Sequence, residues 1–265
     1  MPDIVPIVDA RDQELIYQAA QHLEHPSLAA RLSNAIGTPM EVAFELMPRS
    51  WQTRLNRVVR AAAHKSLQAA IAGIYRSKEG SGDAHHKALV GLSGAVGGFF
   101  GLPGLLVELP ITTTLMLRSI ADIARSEGED LSHAETRREC LSVFALGGRT
   151  EHDDAAETGY YGVRAALALT LSNAASSIHR HGLQGAGTPA AAKLISAVAS
   201  RFGFPVSQKA AAQSIPYVGA AAGALVNTVF VHHFQTVGRS HFVLRRLERK
   251  YGVGIVEAEY ERVRT

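Results

Sequence analysis

"GLSGAVGGFFGLPGLLVELP", residues 91–110, is the stretch on which the fold turns. Six glycines and one proline precede Glu108, the first charge after Lys87. The uncharged run 88–107 is 20 residues long, enough to span a bilayer as a helix. Six of those 20 are glycine, however, and each costs a helix roughly 1 kcal/mol relative to alanine, while Pro103 breaks the backbone pattern. A lipid-spanning segment, a close-packed helical hairpin and a phosphate loop are the three candidates. The phosphate loop lacks its chemistry: no Gly-Lys-Ser/Thr follows, and nothing reads as a strand leading into a helix. Gly91, Gly94, Gly97, Gly98, Gly101 and Gly104 recur at spacings of three and four. If the stretch is helical they line one face, which lets a second helix approach closely in lipid or in a soluble core.

A second charge-free run of 22 residues, 210–231, reads "AAAQSIPYVGAAAGALVNTVFV". It has the same design of proline, then small residues, then apolar bulk. The spacing therefore predicts two Gly/Ala-rich helical hairpins, 91–110 and 215–230. Gly97, Gly98, Gly101, Pro103, Pro110, Pro216, Gly219 and Gly223 are their candidate hinges.

Around these runs the periodicity is helical throughout. The chain has 265 residues, 46% hydrophobic and 19% charged, with much of the apolar share supplied by alanine. That composition favours an all-α multi-helix bundle with no significant sheet. Helices are expected over 9–23, 28–36, 40–47, 49–75, 110–126, 161–179 and 190–202, with a last long helix ending at Tyr251. Ser132 with Glu135 three residues on predicts a capping box for a helix carrying Cys140, Val143 and Phe144, ended by Gly147-Gly148. Polar loops fall at 77–87, 149–159 and 180–189. The organisation expected is an N-terminal helical segment, 1–48, a main helical domain, 49–254, and a short amphipathic tail, 255–265.

Lys plus Arg number 27 and Asp plus Glu 24, an excess of +3 that is too slight to imply nucleic acid. The densest basic stretch, "RSHFVLRRLERKYG" at 239–252, sets Arg245, Arg246, Arg249 and Lys250 beside Phe242, Val243, Leu244 and Leu247. It fits a solvated helix face, and it is also the candidate contact for an anionic membrane surface. A single cysteine, Cys140, excludes an internal disulfide, and "MPDIVPIVDARDQELI" lacks the pattern of a signal peptide, so cytoplasm is the expected compartment.

Glu108 ends an apolar run just before Leu109-Pro110. It reads either as a helix N-terminal cap or Arg118 partner, or as a functional carboxylate in a pocket with Arg118, Asp122 and Asn227. Asn227, in the second charge-free run, is expected to bond backbone or Glu108. The 12 histidines, including the pairs His85-His86 and His232-His233 and the loop-flanking His179 and His181, have no metal-site spacing, and no cofactor motif is present. No Gly-x-Ser-x-Gly elbow occurs, and Cys140 sits on an apolar face where a structural cysteine is usual.

Several separated motifs point to a family. Gly-Phe-Phe-Gly at Gly98–Gly101, Glu-x-Pro at Glu108 and Pro110, and Arg-x-Ile-x-x-Ile-Ala from Arg118 to Ala124 occur in order. Phe-Ala-Leu-Gly from Phe144 and Ile-Pro-x-Val-Gly-Ala from Ile215 follow. Together they resemble the bacterial EcsC protein family over about 51–252. The resemblance implies a helical, cytoplasmic protein of a family named after a protein encoded beside an ABC transporter. It carries no agreed catalytic residues. The Ile-Pro-x-Val-Gly-Ala stretch also looks like segments in helical domains of some membrane-associated GTPases, although no GTPase motif is present.

The function expected is non-enzymatic binding of a membrane surface, a lipid or a membrane-protein partner, peripheral at the inner face of the membrane. The alternatives are an enzyme built on Glu108, Arg118 and Asn227, which requires those three to converge, and a purely structural self-associating scaffold.

Overall fold

The computed structural model describes residues 8–24, 28–72, 101–148, 159–181, 189–215 and 220–264. Every regular element among them is a helix: α1 (Ala10–Glu24), α2 (Leu28–Ile36), α3 (Met40–Leu46), α4 (Trp51–Ala72), α5 (Gly101–Ser126), α6 (Ala134–Leu146), α7 (Tyr160–His181), α8 (Pro189–Gln213), α9 (Ala220–Tyr251) and α10 (Val253–Arg264). The all-α bundle read from the composition is the fold.

Two expected breaks are absent. Pro103 lies in the first described turn of α5, and Pro110 lies inside the same helix. Gly101, Pro103 and Pro110 belong to the first half of one continuous helix, which no break interrupts at Pro103 or Pro110. Gly223 likewise sits within α9. Gly97, Gly98, Pro216 and Gly219 lie outside the described residues, as do Gly91 and Gly94. The expected stop at Phe202 also fails, because α8 runs on through Gly203 and Pro205 to Gln213.

Residue pairings fix the helix directions. Gln235 Nε2 donates to Ser119 Oγ at 2.8 Å, Gly238 packs against Ile120, and Arg246 pairs with Glu127, so α5 and α9 run parallel. Phe202 packs on Phe234 while Lys209 reaches Asn227, so α8 runs antiparallel to α9. The C-terminal half of α8 thus meets the N-terminal halves of α5 and α9. The described parts of both charge-free runs come together at this end of the bundle.

The centre is aromatic and close-packed. Phe144 of α6, Phe202 of α8, and Phe230 and Phe234 of α9 stack with ring centroids 5.0–6.2 Å apart, all nearly closed to solvent. Ile16, Leu105, Leu109, Met116, Ile120 and Leu244 extend the same apolar cluster through α1, α5 and α9. α1 packs against α9 and α10, and α4 packs against α5, α6 and α8.

Helix α6 begins one residue later than its capping box predicts. The N-cap position is His133, whose side chain makes no cap, and Ser132 Oγ instead donates to Asp130 Oδ2 at 2.7 Å. At its other end, the Gly147-Gly148 stop has a packing reason. His233 Nε2–H donates to Gly147 O at 2.8 Å and Arg201 Nε to Ala145 O at 3.0 Å, so two side chains satisfy carbonyls that the ended helix leaves open. A Cβ on Gly147 would stand 2.6 Å from Phe234 Cε1, and one on Gly148 would run into the backbone carbonyl of Arg201.

Candidate functional site

Glu108 and Asn227 do converge, through a residue that the sequence does not advertise. Lys209, on the last turns of α8, is completely buried. Its Nζ donates to Glu108 Oε2 at 2.7 Å, Glu108 Oε1 at 2.9 Å and Asn227 Oδ1 at 2.7 Å. Those three bonds exhaust the donors of an ammonium. The Phe230 ring lies 4.8 Å from the same nitrogen and adds a cation–π contact. Thr112, one turn along α5, donates its hydroxyl to Glu108 Oε1. Burial pulls the Lys209 pKa below its usual value, and attraction to Glu108 opposes that pull.

Local sequence explains the placement. Glu108, Leu109, Thr112 and Thr113 lie on the buried side of α5 at helical spacing, while Val107 and Ile111 face out. Lys209 stands near the C-terminus of α8, where the helix dipole favours a cation. Gln213 follows one turn later, buried, with neither amide atom hydrogen-bonded.

Arg118 does not join this group. It is exposed on α5, and ten residues of helix set it about 15 Å along the axis from Glu108. Asp122 lies further still and pairs with Arg125 of its own helix. The four-residue pocket expected from the sequence is therefore two residues plus Lys209 and Thr112. Chemically the arrangement is closed: the ammonium has no spare proton donor, and both carboxylate oxygens are occupied. It joins α5, α8 and α9 and offers no free base or nucleophile.

A second polar layer, also unread from sequence, lies 14 residues further along α9, about 21 Å away. The Tyr160 hydroxyl and His241 Nδ1 are hydrogen-bonded at 2.8 Å. His241 Nε2 stands 3.1 Å from Glu139 Oε2, in contact but too oblique for a full hydrogen bond. Arg164 grips Glu248 through both guanidinium nitrogens, and Tyr161 O–H donates to the same carboxylate at 3.0 Å. Glu24 accepts from Tyr160 N–H at 2.9 Å and from Tyr260 O–H at 2.7 Å. Burial raises the Tyr160 pKa and, despite Glu139, lowers that of His241, so the Tyr-His-Glu order does not generate a phenolate. The layer ties α1, α6, α7, α9 and α10 together.

The basic C-terminal stretch of α9 is neutralised from within. Arg245 pairs with Glu129 at 2.8 Å and Arg246 with Glu127 at 2.8 Å; Arg249 also pairs with Glu129, and Lys250 pairs with Asp12 at 2.7 Å. The charge of these four, the candidate anionic-surface contact, is thus matched by the 127–129 turn and α1, while Arg246, Arg249 and Lys250 stay partly exposed. Among the described residues no group of three His, Cys, Asp or Glu side chains is placed to hold a metal. His232 is exposed beside Arg31, and His233 caps α6. His85 and His86 lie outside the described residues.

The fold and its charged core define a helical-bundle protein whose conspicuous polar groups are spent on holding helices together. Residues 13–247 match the EcsC protein family, and the chain belongs to that family. The match starts within α1, so it takes in the N-terminal helices as well as the long ones. No curated protein and no solved structure matches the chain.

Proposed function

We propose that this protein is a non-enzymatic helical module that docks on a membrane surface through the charge-free end of its bundle. The observation that carries this reading is the outer face of α5. Pro103, Val107 and Ile111 are exposed at successive turns, Val107 to 70%, and the first charge on that side is Arg118. Leu225, also exposed, lies near the start of the parallel helix α9. An apolar stripe ending in an arginine suits the boundary between acyl chains and headgroups.

Docking fits these residues better than spanning does. Leu102–Ser126 is long and apolar enough to cross a bilayer, yet 56% of its apolar stretch is buried in the bundle. Its inner face carries Glu108, held by Lys209, and bringing that face into lipid exposes or breaks a charged pair.

Flotation of the full chain with phosphatidylcholine vesicles tests the reading. The expected result is that the wild type floats and that Val107→Asp with Ile111→Asp lowers vesicle partitioning by about tenfold or more, since each side chain loses an apolar contact. A wild type that stays with the soluble fraction, or a double variant that floats as well as it does, overturns the proposal.

A further inference from the structure

Helix α4 carries a cationic face that no acidic side chain among the described residues answers. No aspartate or glutamate occurs between Glu45 and Glu79. Over that span Arg49, Arg54, Arg57, Arg60 and Lys65 are all exposed, and Arg54, Arg57, Arg60 and Lys65 lie on one side of the helix. Among the described residues none of these five makes an ion pair, in contrast to the basic end of α9. The opposite side of α4, with Leu55, Val59, Ala62 and Ser66, is the buried one.

The apolar neighbours of this face point to its partner. Val42, Phe44 and Leu46 of α3 are exposed immediately before it, and half-buried Trp51 opens α4 with the Arg54 guanidinium 5.2 Å over its ring. Exposed aliphatic and aromatic side chains, a tryptophan at the boundary and an arginine row form the pattern of a segment lying in a lipid interface. Two exposed carboxylates, Glu41 and Glu45, sit on α3, and among the described residues neither pairs with the arginine row of α4. A nucleic acid would use the arginines but not the apolar side chains, and the whole chain is only +3.

We infer that α4, led by α3, is an anionic-lipid recognition face, with Arg54, Arg57 and Arg60 contacting phosphate headgroups and Phe44 and Leu46 entering the acyl boundary. This rests on the membrane-docking reading and names the lipid class that the docked protein prefers. α4 packs directly on α5, so the cationic and apolar faces belong to neighbouring helices.

The test compares the full chain on pure phosphatidylcholine vesicles and on vesicles with added phosphatidylglycerol, at low and high salt. The wild type is expected to partition more strongly onto the anionic vesicles and to lose that preference in salt. Each arginine contributes about fivefold near an anionic surface, so Arg54→Gln with Arg57→Gln and Arg60→Gln removes the preference for phosphatidylglycerol vesicles over phosphatidylcholine vesicles. All three are exposed, and an unchanged thermal melt confirms that the variant is folded. Equal wild-type binding to both vesicle types overturns this inference but not the docking reading; absence of binding to either overturns both. A triple variant that keeps the anionic preference also overturns it. So does arginine-dependent binding of single-stranded RNA without any preference for phosphatidylglycerol.

Discussion

Lys209 Nζ lies 2.7 Å from Glu108 Oε2 with both side chains shut away from solvent, so an ion pair on two different helices stands inside an otherwise apolar contact. The energetic consequence is asymmetric. Removing one partner strands the other charge, whereas removing both removes the desolvation cost as well. Lys209→Met and Glu108→Leu alone are each expected to cost about 3–5 kcal/mol of unfolding free energy. The double variant recovers most of that loss, short of the bonds owed to Asn227 and Thr112. Urea unfolding of the four-member cycle measures the coupling, and simple additivity of the two losses contradicts the pairing.

Acid should unfold the protein through its buried histidines. His233 is held down to about 4 by burial, which outweighs its bond to Gly147 O, with Arg31 and His232 adding repulsion. His241 is also lowered by burial. Both folded values lie below the ordinary 6.5, so the unfolded chain binds more protons as pH falls from about 6.5 towards 4, and stability declines across that window. His233 alone contributes on the order of 3 kcal/mol to the decline. Glu139, lowered to about 2 with His241 and Arg245 offsetting its burial, adds its own loss only below about 4.5. His233→Gln, which keeps a donor for Gly147 O but does not titrate, flattens the upper part of the curve; denaturation at pH 7 and pH 4.5 measures the difference.

Gly148→Ala tests the close approach of α6 and α8. Its Cβ meets the Arg201 backbone carbonyl, which cannot swing aside as a side-chain tip can. That carbonyl is also the one that Pro205, without an N–H, does not bond within α8. A loss of several kcal/mol is expected, against a gain of up to about 1 kcal/mol at Gly203, a glycine inside α8 where nothing crowds a Cβ. Thermal melts of the two alanine variants, read side by side, separate packing from helix propensity.

The bundle was legible because helical spacing survives in a single sequence: α2 falls over 28–36 as expected, and α1 and α7 lie within two residues of their expected ends. What misled was local punctuation. Gly203-Phe204-Pro205 reads as a stop, but packing of Phe202 and Val206 on neighbouring helices outweighs one lost hydrogen bond and carries α8 on to Gln213. That misreading hid Lys209. The visible signal for it was a lone cation between Pro205 and the alanines at 210–212, placed opposite a lone acid in another apolar run. Glu139, Tyr160 and His241 were not legible at all, since three residues spread over a hundred positions meet only through the tertiary fold.

Cys140 should be inert in the folded protein. It is buried, and desolvation with Glu139 and Glu129 nearby pushes its thiol well above the ordinary range, leaving almost no thiolate. Titration with a disulfide reagent is expected to show no reaction under native conditions and one thiol per chain in denaturant. Rapid native labelling contradicts this burial.

The two basic surfaces should respond differently to the same substitution. At the end of α9, Arg246→Gln with Arg249→Gln breaks contacts to Glu127 and Glu129, with Arg249 also donating to the Glu127 carbonyl. These arginines are partly exposed, so the stability loss is small, about 0.5–1 kcal/mol each. Glu129, nearly buried and still held by Arg245, limits the loss. Because their charge is already matched within the chain, binding to phosphatidylglycerol vesicles is expected to change less than twofold, whereas the α4 arginines change binding and leave the melt unmoved. Parallel flotation and thermal unfolding of the two variants decide the assignment, and a large fall in anionic-vesicle binding from the α9 pair would return the lipid contact to the C-terminal end of that helix.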